Sequence, residues 1–347
     1  MNDKKKVPEW VTGWHANLAG TFPVVSTRLS FKDKLGSFRV RWGIGRMKYR
    51  IYPGLYAVGT PDADSPVLVT ANYKLSFDSL RKHLEGINAW VLVLDTKGVN
   101  VWCAAGKGTF GTEELIRRVI SVNLPLIVRH RTLILPQLGA PGVAAHVVTG
   151  ATGFKVVYGP VRAADVPRFL ENGMKADPAM RTVSFSLKER LTVIPVELVH
   201  SWKIALPALL FHLLSRYPEG NIILWSTFFG FLPYVGAILV GCVLVPLMLP
   251  WIPGRSLAFK GWLVGIIATI IYSLLHGHLS AENIMYLLVL PAISSFLALN
   301  FTGATPFTSL SGVRKEMRFA IPLLICSAVL GIVLHIFRLW RIPWSML

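Results

Sequence analysis

The stretch Asn100-Val-Trp-Cys-Ala-Ala-Gly-Lys107 carries the first of three cysteines, the others being Cys242 and Cys326. A thiol at Cys103 has three chemistries open to it: nucleophile, soft metal ligand, or small buried hydrophobe. A nucleophile needs a base, and His83, His130 and His146 stand in no order that supplies one. Cys242 and Cys326 sit in apolar runs and read as packing residues. No C-x-x-C pair occurs, so the chain lacks the usual thiolate set of an iron–sulfur cluster, and no disulfide framework is suggested. His276 and His278 form the one close histidine pair, in a loop between apolar runs, a weak candidate for a metal. Gly106-Lys-Gly-Thr-Phe-Gly111 matches G-x-G-x-x-G, but ten residues separate it from the preceding strand, and Arg131 stands where a dinucleotide site wants an acid.

The elements around Cys103 narrow the choice. From Ser65 to Gly173 apolar strands alternate with amphipathic helices. Strands are expected at 66–71, 89–95, 131–135 and 154–158, and helices at 77–84, 112–120, 140–148 and 164–172. That alternation predicts a Rossmann-like parallel sheet covered on both faces, with any ligand at the carboxyl ends of its strands. Cys103 follows the second strand and lies at that edge, flanked by Ala104, Ala105 and Gly106, small residues that would let a flat surface approach the backbone. Other strand-end residues are candidates for the same ligand: Thr70 and Asn72, Asp95 and Thr96, Gly139, Pro141 and Gly142, and Tyr158, Gly159 and Pro160.

Three divisions follow from composition. Residues 1–60 read as a basic N-terminal extension, with a strand suggested over Ser37–Trp42. Residues 61–190 are the α/β domain, and residues 191–347 are too apolar for an ordinary soluble protein. The whole chain has 53% hydrophobic residues, and its mean hydropathy is +0.51. An all-α membrane domain of five spans is expected, over about Leu198–Leu214, Ile222–Leu249, Leu257–Leu275, Ile284–Leu299 and Phe319–Phe337. The net charge is +18, and most Lys and Arg precede Lys203. A basic region beside anionic lipid accounts for this better than nucleic acid, because no nucleic-acid motif accompanies it. The N-terminus has charge but no apolar stretch, so it is not read as a signal peptide. The expectation is a multi-pass protein of the inner, cytoplasmic membrane with its α/β domain in the cytoplasm. Arg255, Lys260, Arg314, Lys315 and Arg318 then fall on the positive inner side.

The octapeptide resembles the signature of the mercury-methylating corrinoid proteins, membrane-anchored partners of a small ferredoxin with two 4Fe–4S clusters. Ser65-Pro-Val-Leu-Val-Thr-Ala-Asn-Tyr-Lys-Leu75 resembles the opening strand and loop of that family. It is also similar to the cobalamin-binding domain of the corrinoid iron–sulfur protein of the acetyl-CoA pathway. Asn300–Gly303 with Ser309–Glu316 resembles the family's last cytoplasmic loop.

The resemblance implies a corrinoid, a cobalamin-type cobalt cofactor, bound without its own lower base. Residues 100–107 (Asn100, Val101, Trp102, Cys103, Ala104, Ala105, Gly106, Lys107) would form a cap helix beneath the ring, with Cys103 as lower axial ligand to cobalt. No D-x-H occurs to supply a histidine instead. A thiolate is the softer donor and would push electron density toward a cobalt-bound methyl group. The resemblance therefore implies an enzyme, a corrinoid-dependent methyltransferase that passes methyl to Hg(II) as substrate and is reduced by the ferredoxin. The alternative is a membrane-anchored methyl carrier of one-carbon, acetyl-CoA pathway metabolism. The methyl donor is not legible.

Overall fold

The computed structural model describes residues 7–17, 19–216, 225–275, 281–301, 305 and 310–340. The His276–His278 pair and part of the 300–316 stretch lie outside them. The chain divides into two compact units, Met1–Val40 with Ile44–Val183, and Arg41–Gly43 with Ser184–Leu347.

The first unit is built on one seven-stranded sheet. Its strands are β1 (Val11–Asn17), β2 (Gly20–Val25), β3 (Gly54–Val58), β4 (Val67–Ala71), β5 (Ala89–Leu94), β6 (Thr132–Leu135) and β7 (Lys155–Tyr158), in the order β1-β2-β3-β5-β4-β6-β7. β5, β4, β6 and β7 are mutually parallel, and they are the four apolar runs expected from sequence. Every residue of β4 and of β5 is buried, as a sheet covered on both faces requires. One face carries a core of Val69, Leu92, Leu94, Phe110, Leu115 and Val148. The other is packed by Leu68, Phe77, Val91, Val93, Ile134 and Phe169. The helices are α1 (Phe31–Arg41), α2 (Lys74–Arg81), α3 (Val101–Gly106), α4 (Thr112–Ser121), α5 (Ala145–Thr152), α6 (Val166–Glu171) and α7 (Pro178–Arg181).

Two expectations are corrected. In place of the strand expected over Ser37–Trp42, residues 37–41 are the end of α1 and Trp42 lies in the turn that follows. The alternation there is short, and the start signal lies upstream: the Ser30 backbone N–H donates to Asp33 Oδ2 at 3.0 Å, while the Asp33 N–H donates to Ser30 Oγ at 3.2 Å. That reciprocal capping fixes a helix before the alternation begins. The helix expected over 140–148 is a 3-10 turn, Gln137–Gly142, followed by α5. Pro141 interrupts the first segment, and the Ala144 N–H is held by Thr112 Oγ1 at 2.9 Å just before α5 starts.

Residues of the N-terminal extension add β1, β2 and β3 to the sheet. They are tied to α2 by a buried ionic cluster. Lys74 Nζ lies 2.6 Å from Asp33 Oδ1 and 2.7 Å from Asp78 Oδ2. Arg81, with no exposed surface, lies 2.7 Å from both Asp33 and Asp78 and donates to the Ser26 carbonyl. Burial alone would push the Asp33 carboxyl up, but hydrogen bonds from Lys74 and Arg81 overcome it and bring it down from the ordinary 3.8 to about 2.

The second unit is helical: α8 (Leu187–His200), α9 (Trp202–Arg216), α10 (Trp225–Leu239), α11 (Val245–Met248), α12 (Leu257–Leu275), α13 (Ala281–Asn300) and α14 (Leu310–Trp340). A π-helical turn, Val240–Leu244, joins α10 to α11 without dividing the run. Among the described residues three helical runs are long and apolar enough to cross a membrane, Thr227–Met248, Leu257–Leu275 and Gly312–Phe337, while Ile284–Asn300, expected as a span, is a shorter apolar helix. The bent pair α8 and α9, at 45°, makes a fourth if counted as one span. α12 and α13 approach closely through Gly261-x-x-x-Gly265. A Cβ on Gly261 would stand 2.6 Å from Ala298 Cβ, and one on Gly265 2.9 Å from Pro291 Cα. Across this contact Ser294 Oγ donates to the Gly261 carbonyl and Ser295 Oγ to that of Ala258, the small-residue and hydroxyl pattern of apolar helix pairs.

Candidate functional site

The loop from β5 to α3 is organised by Asn72, which follows β4 and is 1% exposed. Its side-chain oxygen accepts from the backbone N–H of Thr96 (3.1 Å) and of Gly98 (3.0 Å), and from the Thr96 hydroxyl at 2.9 Å. Its amide donates to Asp95 Oδ1 at 3.0 Å. Asp95 Oδ1 also accepts from the Lys97 N–H, which helps hold Lys97 at φ 55°. From the other side Glu114, at the start of α4, accepts the Asp95 N–H at 2.7 Å and pairs with Arg117 and Arg118. Burial pushes the Glu114 carboxyl up, yet these partners leave it below the usual carboxylate range. Two adjacent strand ends thereby fix one loop in one shape.

That loop delivers Asn100 as the N-cap of α3. Its side chain accepts the Cys103 N–H at 2.8 Å, satisfying a donor the helix leaves open and setting the turn that carries the thiol. The six-residue helix has two sides. Val101, Ala104 and Ala105 are buried, and Ala104 has no exposed surface. Trp102, Gly106 and Lys107 are exposed, and Cys103 is half-buried, free of any disulfide. The inner side rests on the turn after β6. A Cβ on Gly142 would lie 3.0 Å from Ala105 Cα and collide with the Phe110 carbonyl oxygen. One on Gly139 would strike the Phe110 ring. Gly142 therefore lets the Gln137–Gly142 turn and α3 meet backbone to backbone, and Gly139 makes room for the Phe110 ring. The helix leaves by a turn in which Thr109 Oγ1 is buried with no hydrogen-bond partner among the described residues.

Most of the expected site residues thus fall into two sets. Asn100, Trp102, Cys103, Gly106, Lys107 and Asp95 come together at the carboxyl edge of β4 and β5 with surface to offer. Thr70, Asn72, Thr96, Val101, Ala104, Ala105 and Gly139 are buried and build the platform beneath. The small residues beside Cys103 divide accordingly: the two alanines serve close packing inward, and only Gly106 faces out. Tyr158 Oη donates to the Val143 carbonyl at 2.7 Å, and the Gly159 N–H donates to that of Leu135 at 2.7 Å. These two join the strand ends of β6 and β7 to the turns beside them, while Pro141 is exposed and Gly142 half-buried. Glu114 and Phe110 were not singled out from sequence. Glu114 was legible only as an acid in the first turn of a helix, and its partner Asp95 lies on another element.

Residues 46–170, which include this site and β4 to β7, match the family model described as CO dehydrogenase/acetyl-CoA synthase delta subunit. The chain is 37% identical over 129 residues to the acetyl-CoA decarbonylase/synthase complex subunit gamma of Methanopyrus kandleri, covering 36% of this chain and 27% of that one. It is 31% identical over 128 residues to the same subunit of Archaeoglobus fulgidus, covering 36% and 27%. With that of Methanocaldococcus jannaschii it shares 32% over 129 residues, covering 37% and 26%. These relatives correct the expectation of a mercury-methylating enzyme: each is by name a subunit of an acetyl-CoA complex, and none is a mercury methyltransferase. The chain spans about a quarter of the length of these curated relatives, and β3 to β7 and α3 lie within the segment that matches the family model.

Proposed function

We propose that this chain is a membrane-anchored corrinoid methyl carrier of one-carbon metabolism, working within an assembly of protein subunits. Cys103 carries the reading. Its thiol is half-exposed on the outer side of a helix whose inner side is packed at the carboxyl edge of the four parallel strands of a mixed sheet. A corrinoid, when bound, supplies a cobalt centre that holds a methyl group between donor and acceptor. The residues present fit such a group. A single soft thiolate suits a metal already held in a macrocycle. Trp102, Gly106 and Lys107 share the exposed side and would line the group with Cys103. Thr109 Oγ1 leaves hydrogen-bonding capacity in the adjoining turn.

Each of the chain's own groups has a role in this reading. Asn100 sets the turn that presents Sγ. Asn72, Thr96 and Glu114 keep the preceding loop from relaxing. Gly142 lets the helix sit low enough to be held, and Gly139 admits the Phe110 ring behind it. Rigid support of this kind is what a metal ligand needs if its position is to be kept through turnover. Partner subunits deliver the methyl group and receive it. A ferredoxin with two 4Fe–4S clusters is the electron donor we propose; it would return a corrinoid that has been oxidised to the reduced form able to take up a methyl group.

The functional division we propose is a corrinoid-binding unit over 61–190 supported by 1–60, then an anchor over 191–347. The apolar runs of the second unit support an anchor in the cytoplasmic membrane. Arg255, Lys260, Arg314, Lys315 and Arg318 would lie on the cytoplasmic side. The test is stoichiometric. Full-length protein in detergent, mixed with hydroxocobalamin and passed through a sizing column, should retain about one corrinoid per chain by absorbance and cobalt content. Emergence without corrinoid would overturn the reading.

A further inference from the structure

The second unit contains a cavity of about 1130 Å³ along one side of α14. Its lining on α14 includes Gly312, Lys315, Phe319, Leu323 and Ser327, a single helical stripe. Fifteen helical rises from Gly312 to Ser327 make the stripe about 22 Å long. α12 contributes Phe259 and Trp262 to the facing wall, and their rings stack with centroids 6.3 Å apart. The volume exceeds the roughly 300–1,000 Å³ of an ordinary small-molecule pocket.

The polar groups of this cavity are unevenly committed. Ser256 Oγ donates to Glu316 Oε1 at 2.8 Å, and that same oxygen accepts the Ala258 N–H at 2.6 Å, so Glu316 caps the start of α12. Ser295 Oγ donates to the Ala258 carbonyl and Ser327 Oγ to that of Leu288. Neither Arg255 nor Lys315 is paired with a carboxylate among the described residues. Both are exposed, and both stand at the end of the cavity where α12 and α14 begin. The remainder of the stripe, from Phe319 onward, is apolar apart from a hydroxyl already bonded to backbone.

We propose that this cavity binds an anionic phospholipid, with its phosphate between Arg255 and Lys315 and an acyl chain along Phe259, Trp262, Phe319 and Leu323. One cationic end and a long apolar body match that chemistry on both counts, and basic pockets between helices on the cytoplasmic side favour anionic head groups. The proposal rests on the reading that α12 and α14 lie in a membrane. It adds that the anchor selects its lipid by head-group charge.

The test uses the full chain in a mild detergent, with thermal unfolding followed as phosphatidylglycerol or phosphatidylcholine is added. Phosphatidylglycerol should raise the midpoint, and phosphatidylcholine should leave it near its starting value. The double variant Arg255→Gln, Lys315→Gln should need roughly 30-fold more phosphatidylglycerol for the same rise. Chain-brominated phosphatidylglycerol should quench part of the tryptophan emission, and Trp262→Phe should lose that part. An equal response to both lipids, an unchanged response in the double variant, or quenching undiminished in Trp262→Phe would each overturn the lipid site. Carbonate washing of the membranes separates the two failures. Protein that stays in the pellet while the lipid test fails overturns the lipid site alone, and protein released into the supernatant overturns the anchor and the lipid site together.

Discussion

Replacing Asp33 with asparagine should loosen the first unit by an amount the ionic cluster sets. Asp33 is buried and takes both Lys74 and Arg81, each at 2.6–2.7 Å. Its carboxyl is drawn from 3.8 down to about 2, and at about 1.4 kcal/mol per unit this makes its charge worth roughly 2.5 kcal/mol. Asp78 remains as partner to both cations in the variant, so the loss should stay near that figure rather than reach the roughly 3–5 kcal/mol of a wholly orphaned buried charge. For a unit of this size the unfolding midpoint should fall by roughly 5–10 °C at pH 7, read from the strand signal of the full chain in detergent. The pH dependence has a fixed sign. The folded-state value is depressed, so the contribution is complete above about pH 4 and is lost as pH falls toward 2. The asparagine variant should lack that part of the acid limb. A variant that melts within about 1 °C of the parent at pH 7, with the same acid limb, would refute the assignment of this stability to the cluster.

Three further outcomes bear on the platform under Cys103. Gly142→Ala places a methyl group against Ala105 and the Phe110 carbonyl, so it should cost about 1–3 kcal/mol and weaken cobalamin retention, read by thermal unfolding and by sizing-column stoichiometry. Asn72→Ala strips the Gly98 N–H of its acceptor and leaves the Thr96 N–H only the Leu94 carbonyl, so it should cost about 1–3 kcal/mol, with faster amide exchange confined to residues 95–100. Glu114→Gln should remove a stabilising term that in the parent is present at neutral pH and fades as pH falls through the carboxylate range, because the folded-state carboxyl is depressed; acid titration of stability in both proteins checks it.

The parallel strands were legible because a strand buried on both faces has to be a continuous apolar run, and Val67–Ala71 and Ala89–Leu94 are such runs. The edge on which Cys103 falls followed from strand direction alone. The extension was harder. α1 is begun by Ser30 and Asp33, and Asp33 is held in place by residues 41 and 48 positions further on. No local pattern over 37–42 carries that information. The strand-end residues were legible by type and not by role. Asn72 and Thr96 look like ligand contacts in a linear reading, but each finds its partner across 24 residues and becomes part of the support. Gly139 and Gly142 likewise suggested room for a ligand, and what approaches them is Phe110 and Ala105.

The most direct measurement of the central claim is the absorbance spectrum of cobalamin bound to the full chain, in the parent and in Cys103→Ala. The account predicts a thiolate-ligated cobalt spectrum in the parent. It predicts that the alanine variant folds, keeps the unfolding midpoint of the parent within about 1–2 °C because the side chain is half-exposed, and loses that spectrum. Identical spectra from the two proteins would contradict it, since Cys103 would then not be the ligand that the fold of α3 is arranged to present.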